Sequence, residues 1–137
     1  YEISNFARTS FSCRHNLKYW RCEEYIGAGL AAHSYIDSKR IANTSNMSEY
    51  LAGSIQKESV LLSDKDKISE FIIMSLRLNE GVDTNEYSKR FKRDFYSDYR
   101  NIIDKFLSLH LLRRTSSGFG LTKTGIDVSN SVMCEFV

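Results

Sequence analysis

The chain has 137 residues, of which 42% are hydrophobic and 12% aromatic, which is enough for one hydrophobic core and a smaller packing unit and excludes a disordered segment. It has no apolar run of about eighteen residues and no basic-then-apolar N-terminus, so we expect a cytoplasmic protein without a membrane span. The net charge of +2 is too small to imply a polyanionic partner, and three widely spaced cysteines disfavour a disulfide framework or a CxxC metal site.

The first sixty residues predict two strands, Tyr1 to Phe6 and a segment within Tyr25 to Ile36. Two strands joined by a connection long enough to hold a helix are typical of a βα unit in a larger parallel sheet. Their neighbouring strands are not in this chain. A helix is predicted from Ser45 to Gln56, with Lys57 to Leu62 as the connection to the second half.

Helix signals become dense after residue 60. Ser63 and Asp66 resemble a capping box and predict a helix over residues 64–79. Its inward face consists of Ile68, Phe71, Ile72, Ser75 and Leu76. Asp83 and Glu86 form a second capping box, which predicts another, shorter helix.

In that shorter helix, Tyr87 and Phe91 point inward. A third helix is predicted to start at Ser97 or Asp98 and to end at about His110. Its inward face consists of Tyr99, Ile102, Ile103, Phe106 and Leu107. These helices would enclose the core of the second half.

A hairpin and a last helix complete the chain. The extended segments at residues 111–115 and 119–122 are separated by a loop containing Gly118, which predicts a short hairpin. Thr122 can cap a final helix. The inward face of that helix consists of Ile126, Ser129, Met133 and Phe136 or Val137. Three helices, a two-stranded wing and a helix indicate a winged-helix-like domain over residues 61–137, and the fold class is α+β.

The segment from His15 to Trp20 holds the only tryptophan next to an imidazole, an amide and a phenol. In a helix, His15 and Tyr19 share a face, so an imidazole flanked by an aromatic ring could ligate a metal or a flat macrocycle. The alternative is that Tyr19 and Trp20 pack under a sheet while His15 hydrogen-bonds to a loop.

A second candidate is the small-residue segment containing Gly27, Gly29 and Ala31. Small residues let a nucleotide or a carboxylate approach backbone N–H groups. The third glycine of a dinucleotide fingerprint is missing, and close backbone packing explains the segment equally well. Neither candidate provides a nucleophile, an acid–base pair or a metal cluster, so no complete active site can be assembled and we expect the chain to be one part of a larger protein, without chemistry of its own.

Several ordered motifs carry a resemblance to a known family. The first three are Tyr1-Glu2-Ile3-Ser4-Asn5-Phe6-Ala7, then Arg14-His15-Asn16-x-x-Tyr19-Trp20, then Tyr25-Ile26-Gly27-x-Gly29-x-Ala31-Ala32-His33-Ser34. In this order they resemble the radical SAM family that contains oxygen-independent coproporphyrinogen III oxidase and the related heme chaperone. Leu76-x-Leu78-x-x-Gly81-Val82-Asp83 and Leu121-Thr122-x-x-Gly125, with Asn130 and Val132, resemble its C-terminal domain. The resemblance covers essentially the whole chain.

The resemblance implies a parent protein with a partial (β/α) barrel and a [4Fe-4S] cluster on a CxxxCxxC motif, which cleaves S-adenosylmethionine reductively. That motif is absent here, so the cluster ligands would lie upstream of Tyr1. Residues 1–60 would be the last strands and helices of the barrel. Gly27, Gly29 and Ala31 would then lie near the S-adenosylmethionine.

The HNxxYW motif is similar to that of the heme-chaperone branch, which implies that His15 ligates heme iron and that Tyr19 and Trp20 line the macrocycle. The implied partners are heme or a porphyrinogen, and heme-receiving proteins. Cys13 stands where the family usually has serine and Cys22 where glycine is common. A Cys13 thiolate is a less favoured candidate for the iron ligand.

Two alternatives remain open. One is oxidative decarboxylation of coproporphyrinogen III, the activity of the oxidase branch. The other is nucleic-acid binding through basic residues on the third helix and the wing, namely Arg100, Lys105, Arg113, Arg114 and Lys123. Asp98 and Asp104 on the same helix disfavour binding of a polyanion. The basic residues are equally explained as a solvated surface, and a domain that docks on the barrel or covers it as a lid needs no polyanion.

Overall fold

The computed structural model describes all residues from 1 to 137, and they form two compact units. Unit 1 combines residues 1–21 with residues 68–137, and unit 2 comprises residues 22–67. Each unit contains both helix and sheet, which confirms the mixed α+β class. None of the helices is both long and apolar enough to span a membrane.

Helices and short strands alternate along the chain. In order they are α1 (Arg14–Trp20), β1 (His33–Ile36), β2 (Lys39–Asn43), α2 (Met47–Leu51), β3 (Gln56–Leu61), α3 (Asp64–Arg77), β4 (Val82–Asp83), α4 (Thr84–Phe91), α5 (Phe95–Ser108), β5 (Leu112–Arg114), β6 (Gly118–Leu121), α6 (Lys123–Asp127) and α7 (Ser129–Cys134). The boundary between the units falls inside α3, after Lys67.

Unit 1 is the predicted winged-helix-like arrangement. Its antiparallel sheet has the strand order β4-β6-β5, and Phe119 on the central strand lies opposite Val82 and Arg114. Helices α3, α4, α5 and α7 bury apolar side chains around this sheet. Five core residues have no exposed surface at all: Ile72, Val82, Tyr87, Ile103 and Val132. The core of the chain therefore lies in its C-terminal half.

The two predicted helix starts are confirmed at α3 and α4. At α3, the Ser63 N–H donates to Asp66 Oδ2 at 3.0 Å, and the Asp66 N–H donates to Ser63 Oγ at 3.2 Å. At α4, Asp83 Oδ1 accepts from the N–H groups of Asn85 and Glu86 at 2.9 and 3.0 Å. All five residues of the predicted inward face of α3 are buried. Local capping and helical periodicity are therefore sufficient to define these elements.

Two later boundaries differ from the prediction. Helix α5 starts at Phe95, two or three residues early, because Asp94 Oδ1 caps it by accepting from the Ser97 N–H at 2.7 Å. The predicted last helix is two helices, since Val128 leaves the helical region with φ −118° and ψ 25°. Thr122 caps the first of them as predicted: its Oγ1 accepts from the Gly125 N–H at 2.9 Å.

Unit 2 is an antiparallel sheet with the strand order β1-β2-β3. The sequence predicted a βα unit of a parallel sheet, and this pairing was wrong. A two-residue turn, Asp37-Ser38, joins β1 to β2 with φ of 49° and 59°, the left-handed backbone of a tight hairpin. Asp-Ser lacks the glycine that usually marks such a turn, so the sequence did not reveal it.

Three further elements in the N-terminal half differ from the prediction. The helix predicted from Ser45 to Gln56 is shorter: α2 is capped by Asn46 and stops before Gly53, whose φ is +86°. The connection predicted at residues 57–62 is instead mostly strand β3, because it pairs with β2. The strand predicted at Tyr1 to Phe6 is reduced to one bridge, from Glu2 to Leu78. The boundary predicted between residues 60 and 61 concerns the parent protein and stays a prediction.

Candidate functional site

Helix α1 carries the HNxxYW motif on the surface of unit 1. It has seven residues, none of them buried, and its N-cap residue Cys13 makes no side-chain capping bond. The chain leaves the helix through Arg21 and then Cys22, whose φ of 48° is left-handed. A glycine would adopt this backbone more readily than a cysteine does.

His15 and Tyr19 contact each other across one turn of α1. Tyr19 Oη lies 2.8 Å from His15 Nε2, within hydrogen-bond distance. The two rings meet edge to face, with centroids 5.0 Å apart and an interplanar angle of 82°. Both side chains are exposed, so a ligand can reach this imidazole–phenol pair.

Trp20 lies on a different side of α1 from this pair. Its indole ring packs under Arg77 of α3, with the guanidinium carbon 4.6 Å from the ring centroid. Its Nε1 is buried and has no hydrogen-bond partner. The structure therefore brings His15 and Tyr19 together and places Trp20 in a packing contact that attaches α1 to α3. Its predicted role in lining a macrocycle stays a prediction.

A buried carboxylate that sequence reasoning missed lies next to this contact. The Glu2 side chain is fully buried, and its Oε2 is 3.7 Å from Nη2 of Arg77. Asn5 Nδ2 donates to the other Glu2 oxygen, and Arg77 Nη2 donates to Ser4 Oγ at 3.1 Å. These contacts hold the first residues against the end of α3. The partners are far apart in sequence, so no local pattern could have indicated the pair.

The small-residue segment in unit 2 is packed by its own backbone. A Cβ on Gly27 would lie 2.1 Å from the carbonyl oxygen of His33, so only glycine fits there. The Gly27 N–H donates to Ser34 Oγ at 3.0 Å, and the Ala31 N–H donates to the Thr44 carbonyl at 2.9 Å. Two of the three predicted amides therefore already have acceptors within the unit. A place for this segment near S-adenosylmethionine stays a prediction.

The residues of this chain do not fit an iron–sulfur cluster. No group of three or more His, Cys, Asp or Glu side chains is close enough to hold a metal ion. Cys13, Cys22 and Cys134 are all free thiols. A [4Fe-4S] cluster on cysteine ligands would have to be held by other parts of a longer protein.

At least three of the five basic residues predicted as a nucleic-acid surface have partners within the chain. Lys105 Nζ lies 3.0 Å from Glu135 Oε1, and Arg113 Nη2 donates to the Asn79 carbonyl at 2.7 Å. The Arg114 guanidinium lies 5.2 Å from the centroid of the Phe119 ring. These contacts orient the cations toward the protein, so the structure does not favour a row of phosphate contacts.

The chain is similar to known proteins over its whole length. Residues 62–128 match the family model described as the HemN C-terminal domain. The heme chaperone HemW of Lactococcus lactis is 30% identical over 140 residues, which cover 100% of this chain and 37% of the relative. HemW of Bacillus subtilis is 28% identical, over 100% of this chain and 38% of the relative. The chain thus spans less than two fifths of these relatives.

The fold also matches a solved structure. Coproporphyrinogen III oxidase HemN from Escherichia coli, a radical SAM enzyme, is 18% identical with a TM-score of 0.63, over 83% of this chain and 28% of that one. The resemblance stated from the motifs is thereby confirmed. The chain belongs to the family that includes coproporphyrinogen III oxidase HemN and the heme chaperone HemW, and it corresponds to a C-terminal part of such a protein.

Proposed function

We propose that this chain is the heme-binding C-terminal part of a radical SAM heme chaperone, with His15 as an axial ligand of the iron. The observation that carries the proposal is the exposed imidazole of His15, paired with Tyr19 on α1. It is supported by the relatives aligned over the whole chain, which are named heme chaperones. A neutral imidazole nitrogen is a common ligand of heme iron.

The surroundings of His15 in sequence also suit a flat apolar ligand. Phe11 precedes it by four residues and is 78% exposed, and Phe6 is 89% exposed. Contiguous exposed apolar patches commonly bind a partner or ligand, and we propose that Phe6 and Phe11 belong to such a patch. A macrocycle would gain apolar contact there without any change in the core of unit 1.

Placing the ligand on a short surface helix also suits reversible binding. Helix α1 buries none of its own residues, so heme bound at His15 would remain accessible to a receiving protein. A site of this kind holds its cargo through few contacts, in contrast to the enclosed pocket of a resident cofactor. We therefore include heme-receiving proteins among the partners of the full-length protein.

The remaining cofactors belong to the parent protein. A [4Fe-4S] cluster would supply the electron for the reductive cleavage of S-adenosylmethionine, and its cysteine ligands are not among the residues of this chain. Gly27, Gly29 and Ala31 would lie toward S-adenosylmethionine in that protein. We propose in addition that the full-length protein is cytoplasmic, as predicted from the sequence.

The proposal is tested by titrating hemin into the full-length protein and its His15→Ala variant while following the Soret band. Loss of an axial ligand should weaken binding at least about tenfold, because a metal–imidazole bond is lost and water replaces it. His110→Asn is a matched control, since His110 is exposed and asparagine tolerates its φ of 55°. Unchanged affinity of His15→Ala would remove the ligand assignment.

The same preparation separates the chaperone from the oxidase alternative. With a reduced cluster and S-adenosylmethionine present, we expect no conversion of coproporphyrinogen III by the full-length protein. Formation of the decarboxylated product would favour the oxidase branch, which has the fold of the solved neighbour.

A further inference from the structure

The nitrogen that His15 would offer to iron is already engaged. Tyr19 Oη lies 2.8 Å from Nε2 of the imidazole. If Nε2 carries no proton, the phenol donates to its lone pair, and if Nε2 is protonated, it donates to the phenol oxygen. In both tautomers the hydrogen bond occupies the direction in which Nε2 would bind a metal.

Hydrogen bonding and iron ligation at this atom exclude each other. A metal ion binds an imidazole nitrogen at about 2 Å along the lone pair. A hydroxyl oxygen at 2.8 Å on the same atom leaves no room for the metal. Tyr19 must therefore move away before Nε2 can ligate heme.

Tyr19 does not belong to the hydrophobic core of unit 1. Tyr19 is 36% exposed and His15 is also exposed, so rotation of the phenol does not disturb the core. The spacing of four residues on α1 brings the phenol back to the imidazole whenever the iron leaves. The hydroxyl is thus a reversible competitor that belongs to the protein itself.

We propose that Tyr19 lowers the affinity of His15 for heme by capping Nε2 in the heme-free protein, which makes the bound heme easier to release. This inference rests on the proposed function, in which His15 ligates the iron. It gives Tyr19 a different role from a residue that only lines the macrocycle, because such a residue would strengthen binding.

The two roles predict opposite effects of Tyr19→Phe, which keeps the ring and removes the hydroxyl. Hemin titrated into the full-length variant should bind about twofold to tenfold more tightly, since a net hydrogen bond to Nε2 no longer has to be broken. Release of hemin to a scavenger protein should slow by a similar factor. Tyr96→Phe is the matched control, because it removes a phenol hydrogen bond at another site of unit 1, the 2.9 Å bond to Asp104.

A double variant shows whether the effect passes through His15. In the His15→Ala background, Tyr19→Phe should leave hemin affinity unchanged, so the two substitutions should be strongly non-additive. In the heme-free protein, the ¹⁵N NMR signal of His15 Nε2 should shift in Tyr19→Phe and stay in place in Tyr96→Phe. This second measurement depends on the hydrogen bond alone.

Three results would overturn the inference. They are unchanged or weaker hemin binding by Tyr19→Phe, equal tightening with and without His15, and an unshifted Nε2 signal in the heme-free variant. The first or third result, with His15→Ala still losing affinity, would leave the proposed function intact. Unchanged affinity of His15→Ala would instead end the proposed function and this inference together.

Discussion

Asp98 of α5 binds two other side chains of unit 1, one from α4 and one from the segment between the two helices. Arg93 donates to both carboxylate oxygens, at 2.8 and 2.9 Å, and the hydroxyl of the buried Tyr87 donates to Oδ2 at 2.8 Å. The hydrogen bonds from Arg93 hold the pKa of Asp98 below its usual range, against the opposing effect of burial. Burial, together with the bond to Asp98, raises the pKa of Tyr87. The carboxylate is therefore bound in its charged form.

Asp98→Asn should destabilise the protein by about 1–3 kcal/mol at pH 7, because the charge-assisted pair with Arg93 is lost. The folded pKa of Asp98 lies below the unfolded value of about 3.9, so its contribution is present above that pH and is lost as the pH falls through the folded pKa. Urea unfolding from about pH 7 to pH 2 should show wild type and variant converging toward the acid end.

Asp104→Asn is the matched control for this effect. Asp104 lies 3.7 Å from Arg100, and the two side chains are 49% and 69% exposed, so the pair is a surface ion pair. Its loss should change the free energy of unfolding by less than about 1 kcal/mol. A constant gap between wild type and Asp98→Asn down to pH 2 would contradict the role given to Asp98.

At the scale of elements, the family motif Leu78-x-x-Gly81-Val82-Asp83 is a helix-to-strand junction. Gly81 has a φ of +78°, and a Cβ there would lie 2.1 Å from the carbonyl oxygen of Phe119 on β6. Val82 is fully buried and Asp83 caps α4. Gly81, Val82 and Asp83 therefore each have a structural task in connecting α3, the wing and α4, without reference to a ligand.

Gly81→Ala should lower the free energy of unfolding by at least about 2 kcal/mol, since it combines a left-handed backbone with a backbone clash. Gly120→Ala is a control in the same sheet: its Cβ would meet only the Thr115 methyl group at 3.3 Å, with no backbone atom nearer than 3.5 Å. Urea unfolding of both variants measures the difference. Equal losses would show that the close approach at Gly81 is not tight in solution.

Elements defined by neighbouring residues were predictable from the sequence, and elements defined by distant partners were not. Helix α3 has its capping box and its inward face within the fourteen residues from Ser63 to Leu76, and both are confirmed. The turn at Asp37-Ser38 needs two residues with a left-handed backbone, and neither residue is a glycine. Pairing of the flanking strands β1 and β2 holds them in that conformation. A local signal therefore identified α3 and missed the unit 2 sheet.

The same distinction between neighbouring and distant partners applies to the candidate site. The contact of His15 with Tyr19 follows from their spacing on a helix, whereas Trp20 is about 140° around the helix from His15 at 100° per residue. What Trp20 contacts depends on Arg77, which lies far along the chain. The buried Glu2 has a nearby partner in Asn5, but its charged partner is again the distant Arg77. Sequence patterns thus identified the contact between His15 and Tyr19, but not the contacts of Arg77 that attach α1 and the first residues to α3.

On the scale of the whole molecule, the two units differ sharply in their cores. Every buried hydrophobic residue belongs to unit 1, and the buried residues of unit 2 are polar, Ser34 and Thr44. Several large apolar side chains of unit 2 are exposed, among them Ile26, Leu51 and Leu61. Unit 2 is therefore held mainly by its strand hydrogen bonds, which stabilise less than a buried apolar core does.

Hydrogen exchange on this chain should separate the two units. Amides of β2 and β3 should exchange at least about a hundredfold faster than those of α5, because opening unit 2 disrupts no apolar core. Mass spectrometry of peptides from the two units would measure the ratio. Equal protection in β2 and α5 would show that the units unfold together, which the distribution of buried side chains does not predict.

The position of the last core residues constrains when unit 1 can form. Val132, Met133 and Phe136 are at most 5% exposed, and Phe136 stacks on Phe95 of α5. Contacts between residues 1–21 and the end of α3 also span the whole of unit 2 in sequence. During synthesis, the first residues must therefore wait until the end of α3 has emerged, and the core of unit 1 is complete only after residue 136 has emerged. Until then, Phe95, Phe106 and their neighbours stay exposed, and newly made chains are open to aggregation or chaperone binding during that interval.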